Sequence, residues 1–174
     1  MSSTIKKYTV IISFVLLIGI LFMCLYSFPK GIHVEHQALN FFEGNPKSAE
    51  TITVKIEGTL YRPIFKQHSF EGNIEIEGYD FTKPNKASMK LFVSEKENGV
   101  YWGSILYTKE TSPPEIVGPV AILFNEDFNQ VSLVSSLISE NKEKSNENTM
   151  IVIGSNKYEE AVTLYGDLRA ALGF

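Results

Sequence analysis

Chemistry in this chain would have to begin with its three histidines. His33-Val34-Glu35-His36 sets two imidazoles three residues apart, which on a helix would share a face, and neutral imidazole is a common zinc ligand. A zinc-protease helix instead spaces its histidines four apart with glutamate directly after the first. The fragment meets neither condition, so a polar spacer is the expectation and no metal site is assigned. His68 lies in Phe65-Lys66-Gln67-His68-Ser69, with Ser69 adjacent and Asp80 not far along the chain. A catalytic histidine needs a nucleophile and an orienting acid brought together by the fold. No nucleophile-elbow pattern surrounds any serine, and His68 reads as a turn residue.

Three further groupings invite a chemical reading. Ile153-Gly154-Ser155-Asn156 runs from an apolar segment through glycine into a helix, as anion-binding helix starts do. It lacks the Walker lysine and the dinucleotide glycine triplet, so it reads as a connection and cap. Glu71, Glu75 and Glu77 share one strand face, whereas acid–base pairs need a cleft that splits their pKa values; a solvated face is expected. Tyr101, Trp102 and Tyr107 are the candidate ligand-binding residues, since aromatic faces can stack on sugars, although the same alternation makes ordinary sheet core. No cofactor and no catalytic residue is assigned.

Whatever does the chemistry is positioned by an apolar run, Tyr8–Phe28, which holds 21 residues without a charge. At ~1.5 Å per residue such a helix spans the ~30 Å hydrocarbon core of a bilayer, and Tyr8 and Tyr26 fall where interfacial aromatics sit. A removable signal peptide would have a shorter apolar core and a small-x-small cleavage site, which Leu25-Tyr26-Ser27 does not offer. A lipid-modified Cys24 would need a small residue before it, and Met23 is not one. The expectation is an uncleaved signal-anchor and a single-pass membrane protein. Lys6, Lys7 and the terminal amine before the run outweigh Lys30 after it, so the N-terminus is expected in the cytoplasm and the remainder outside.

The only cysteine lies inside the anchor, so the exported part must rely on an apolar core rather than a disulfide. Three of the 16 basic residues (Lys6, Lys7 and Lys30) precede the domain, leaving residues 31–174 with 13 basic against 20 acidic side chains, a net −7. That charge disfavours nucleic acid as a partner. The wealth of Lys, Glu, Asn and Ile without a disulfide fits a bacterial surface protein.

Past residues 1–7 and the anchor at 8–28, residues 29–49 read as a juxtamembrane linker, with a short helix near Ala38–Phe42 whose Phe41 and Phe42 are the expected membrane contacts. An extracytoplasmic α+β domain occupies 50–174. Period-two alternation predicts a strand that begins at Glu50 and runs to Glu57, and another at Phe70–Gly78. Asn98-Gly99 marks a tight hairpin between Ser88–Glu95 and Val100–Lys109, and another strand pair is predicted at Val117–Asn125 and Gln130–Ser139. Glu140–Asn148 is wholly polar and reads as a solvated loop. After a short strand at Met150–Ile153, Asn156 and Glu159 predict a capping box. The following helix, Lys157–Leu172, sets Tyr158, Ala161, Val162, Tyr165, Leu168 and Leu172 on one face. The fold class expected is a mainly antiparallel sheet with this C-terminal amphipathic helix packed across it.

The block Gly58-Thr59-Leu60-Tyr61-Arg62-Pro63-Ile64-Phe65, with Phe70-Glu71-Gly72-Asn73-Ile74 and Gly78-Tyr79-Asp80-Phe81-Thr82, resembles a segment of small single-anchor extracytoplasmic proteins of Gram-positive bacteria with no assigned activity. That resemblance implies a display architecture and carries over no functional residue. The function expected is therefore a membrane-anchored interaction or accessory module with a surface protein partner and no catalysis. The alternatives are an ectodomain binding wall polymer or a small molecule, and a hydrolase using His68 or Asp80.

Overall fold

The computed structural model describes residues 3–135 and 148–173. Helix α1 (Ser3–Leu25) leads through Tyr26–Phe28 into eight antiparallel strands in up-and-down order. These are β1 (Pro29–Phe42), β2 (Asn45–Tyr61), β3 (Ser69–Ile76), β4 (Ala87–Glu97), β5 (Val100–Lys109), β6 (Glu115–Asn125), β7 (Val131–Ser135) and β8 (Thr149–Ile153). Each pairs with its sequence neighbour, and β8 pairs back onto β1 from Ala38↔Ile153 to Phe42↔Thr149. The expected α+β class holds at that level, but the sheet is closed into a barrel. Strand alternation cannot distinguish an open sheet from a closed one, because both leave one apolar face.

Residues 29–42 are the first barrel strand, not a linker, and no helix forms near Ala38–Phe42. An apolar-rich run adjoining a turn suits either conformation by composition. Long-range pairing with both β2 and β8 decides for strand.

The barrel interior is filled. Val54, Ile56, Leu60, Phe70, Ile74, Ile76, Tyr101, Ile105, Tyr107, Ile122, Phe124, Phe128 and Leu133 form one buried cluster. Eight strands enclose a space just wide enough for side chains or one small ligand, and here side chains take it. Phe124 stacks on Tyr101 (5.1 Å between centroids) and on Phe128 (4.4 Å), and Phe128 meets Phe70 at 5.2 Å.

Helix α2 (Tyr158–Ala171) covers the outside of the wall. Ala161 packs with Leu39, Phe41, Met150 and Val152; Leu168 and Leu172 pack with Val100, beside Trp102 and Leu123. Val162, predicted for the packed face, is 42% exposed, and Leu164 packs instead. Asn156 does not cap the helix. The N-cap is Lys157, which makes no side-chain cap bond, while its backbone N–H donates to Ser155 Oγ at 3.2 Å.

The weakest seam runs between β3 and β4, joined in register only at Phe70↔Leu91. Side chains take over where the ladder fails. Tyr107 Oη donates to the Ile74 carbonyl at 2.8 Å, and Thr82, on a 3-10 turn (Asp80–Thr82), accepts from Ile76 N–H at 2.9 Å. At the other end of the seam Gln67 donates to the carbonyls of Val93 and Ser94.

Candidate functional site at the mouth of the barrel beside α1

Up-and-down order sends the segments before β1 and after β2, β4, β6 and β8 to one end of the barrel. That end is also where α1 joins. The backbone N–H of Arg62 donates to the Ser27 carbonyl at 2.6 Å, and Arg62 Nε donates to the Phe28 carbonyl at 3.3 Å. Phe28 sits at φ 43°, a conformation disfavoured for a bulky residue, and these bonds help hold the sharp turn from helix into strand.

A break in register creates the site. Val93 pairs with Gly103 but Glu95 pairs with Trp102, so Ser94 is an extra residue in β4. Such a bulge inverts the alternation beyond it. Lys96 therefore falls opposite Tyr101, on the interior face, with its Nζ 5.0 Å from the Tyr101 ring centroid. A cleft of about 320 Å³ opens beside it, lined by Lys66, Gln67, His68, Val93, Ser94, Lys96 and Tyr101. The His68 and Tyr101 rings lie 5.4 Å apart; His68 Nδ1 is buried without a hydrogen-bond partner, while the buried Tyr101 hydroxyl lies beside the Lys96 ammonium. A buried polar atom without a partner costs free energy until something satisfies it.

Glu126, on the β6–β7 connection, collects the cations around this mouth. It pairs with Arg62, with Lys96 (3.3 Å) and with Lys30 (3.8 Å), while Lys30 also bonds Asp127. Burial pushes the Glu126 carboxyl up, but hydrogen bonds from Lys96 and Arg62 outweigh it and hold the group below the usual carboxylate range. His68 is pushed down, first by burial and then by the neighbouring Lys96 charge. A neutral imidazole can donate or accept a hydrogen bond, so the cleft combines an ammonium, a phenol and an imidazole suited to a small polar or anionic group.

The three aromatic candidates do not make one platform. Tyr101 and Tyr107 are buried inside the barrel, and only Tyr101 lines the cleft; Trp102 points outward against α2. Phe41 is buried beneath α2 with its ring 4.9 Å from Tyr158, at the end of β1 remote from α1, so it is not free to meet lipid. Phe42, at the same end, is half-buried. His33 and His36 lie on opposite faces of β1, with His33 3.5 Å from Glu57, and cannot bind one ion together. Among the described residues no group of three metal-ligating side chains is assembled.

His68 and Asp80 stand at opposite ends of the barrel, and Asp80 pairs with Lys83. Glu71 and Glu77 are exposed and Glu75 is half-buried on the outer wall, with Glu77 accepting from Thr53 N–H at 2.7 Å. Ser155, beside Gly154, approaches Glu160 at 3.4 Å, an unfavourable setting for an anion. Residues 140–147 of the predicted loop, and the last residues of the predicted Gln130–Ser139 strand, lie outside the described residues. Lys96, Arg62 and Glu126 were not legible as a group. Asn98-Gly99 fixes the hairpin, but no residue type announces the bulge that turns Lys96 inward. No protein-family model matches the chain, and no curated protein or solved structure matches it.

Proposed function

We propose that this chain is a single-pass membrane protein whose barrel is held outside the cytoplasmic membrane as a non-catalytic accessory or interaction module. The observation that carries the reading is the surface of α1. Fourteen large apolar side chains from Tyr8 to Leu25 are each more than half exposed, and the apolar span Lys7–Leu25 has none of its residues buried against the barrel. In water these would forfeit on the order of 20 kcal/mol of transfer free energy, which a bilayer returns. Retention of the anchor is supported by the joint. Only Tyr26–Phe28 separate α1 from β1, and the Ser27 and Phe28 carbonyls are already bonded to Arg62, leaving little extended chain for a peptidase. Orientation is supported by Lys6 and Lys7 in the first turns of α1, ahead of its apolar run, and by the net −7 of residues 31–174, which the anionic cytoplasmic leaflet would repel. In-cell cross-linking followed by mass spectrometry tests the module reading: a reproducible envelope protein partner is expected, and a barrel that captures none contradicts it.

A second reading is favoured by the cleft. With His68 Nδ1 unpartnered in a cleft that also holds the Tyr101 hydroxyl and the Lys96 ammonium, the mouth suits a small ligand bearing a carboxylate or phosphate. Chemical-shift perturbation at His68 by small carboxylates and phosphates, lost in Tyr101→Phe, is the expected result. Identical shifts in the variant would contradict this role.

A further inference from the structure

We infer that the β2–β3 connection is a second membrane contact, with Ile64 and Phe65 seated in the interface of the leaflet from which α1 emerges. The inference rests on the anchor reading above. Beyond α1 and Tyr26, the exposed large apolar side chains among the described residues are Ile64 (54%), Phe65 (68%), Phe92, Ile116 and Val162. Only Ile64 and Phe65 are adjacent, and they occupy the tip of a loop at the anchored end.

Distance supports a lipid occupant. Arg62 N–H is bonded to Ser27, two residues beyond the last residue of α1, and Phe65 follows Arg62 by three residues. Three residues reach at most about 11 Å, and each interfacial layer outside the hydrocarbon is roughly 5–8 Å deep. The loop tip is therefore within reach of the layer that α1 must cross. Chemistry agrees: Lys66 follows the apolar pair, an arrangement that lets an aromatic sit among acyl carbonyls while an ammonium meets anionic headgroups. At the helix end, Tyr26 stacks on Phe22 at 5.0 Å and meets Phe28 edge-on at 4.8 Å, so the helix exit and the loop would form one aromatic belt. A barrel touching the bilayer at two points has a fixed tilt, and the His68 cleft then opens at headgroup level.

The test uses the full chain reconstituted into vesicles of phosphatidylcholine and phosphatidylglycerol. In a Trp102→Phe background, single tryptophans are placed by Phe14→Trp in α1, Phe65→Trp in the loop and Phe92→Trp on the barrel wall. Lipids brominated at mid-chain serve as quenchers for the buried span, and lipids brominated near the carbonyl end of the acyl chain serve for the interface. The expected result is quenching of Phe14→Trp by the mid-chain bromines, blue-shifted emission with quenching by the carbonyl-end bromines for Phe65→Trp, and none for Phe92→Trp. If Phe14→Trp is quenched and Phe65→Trp behaves like Phe92→Trp, the loop contact is overturned and the anchor stands. If neither Phe14→Trp nor Phe65→Trp is quenched, the anchor reading falls and the inference with it. Should Trp102→Phe prevent folding, a spin label at Phe65→Cys in a Cys24→Ser chain reads the same depth: high oxygen and low nickel-chelate accessibility supports the contact, and the reverse overturns it.

Discussion

Arg62 is bonded through its backbone to Ser27 and through its side chain to Phe28 and Glu126, so the end of β2 clasps the point where α1 becomes β1. Replacing Arg62 with Ala leaves the backbone bond but removes the other two. Hydrogen exchange at residues 26–30 is expected to quicken while the barrel centre is unchanged. Global stability should fall by only about 1 kcal/mol, because these side chains are about a third exposed. Unchanged exchange at the joint would show that the clasp is not what orders it.

Gly58 and Gly72 face each other across β2 and β3. A Cβ at Gly58 would lie 2.4 Å from the Glu71 carbonyl oxygen and 2.7 Å from Phe70 Cζ, and one at Gly72 would lie 2.1 Å from the Glu57 carbonyl oxygen. Backbone cannot yield as a flexible side chain does. Gly58→Ala and Gly72→Ala are each expected to cost about 1–3 kcal/mol in a denaturant titration, whereas Gly31→Ala, which meets nothing within 4 Å, should be close to neutral. Equal effects at all three positions would refute the close approach.

Tyr107 patches the seam where β3 and β4 part. Its buried hydroxyl is pushed strongly up in pKa by burial and stays protonated as a donor to Ile74. Tyr107→Phe leaves that carbonyl unsatisfied and should cost about 1–3 kcal/mol, read by thermal unfolding in micelles.

His68 sets a pH dependence. Its folded pKa lies below the unfolded value near 6.5, so the unfolded chain takes up the proton first as pH falls. The His68 contribution is therefore full above the unfolded pKa and is lost as pH drops through the folded value. Melting temperature should decline from pH 7.5 to pH 5.5 in the parent chain and decline less in His68→Gln. A decline of equal size in both would assign the effect elsewhere.

Much of the barrel was readable because period-two alternation and Asn98-Gly99 are local signals, and β5 runs over the predicted Val100–Lys109. Closure was not readable. It depends on β8 returning to Ala38–Phe42, a stretch whose composition suits a helix equally well. The candidate site is legible only in pieces: Tyr101 stands out as an aromatic and His68 as a histidine, but the Ser94 bulge that swings Lys96 to Tyr101 is a pairing event without a residue signature. Phe41 and Trp102 were both drawn under α2, because an outer strand face is apolar wherever a helix covers it.

The most direct test of the central claim is labelling of Ile116→Cys in a Cys24→Ser chain with a membrane-impermeant maleimide on intact cells stripped of their wall. Ile116 is 65% exposed near the start of β6, at the barrel end away from α1. Labelling without lysis, on a protein that stays with the membrane fraction at full-length mass, is the expected result. Labelling only after lysis would put the barrel on the cytoplasmic side, and labelled protein released at a mass lacking residues 1–25 would mean that α1 is a cleaved signal.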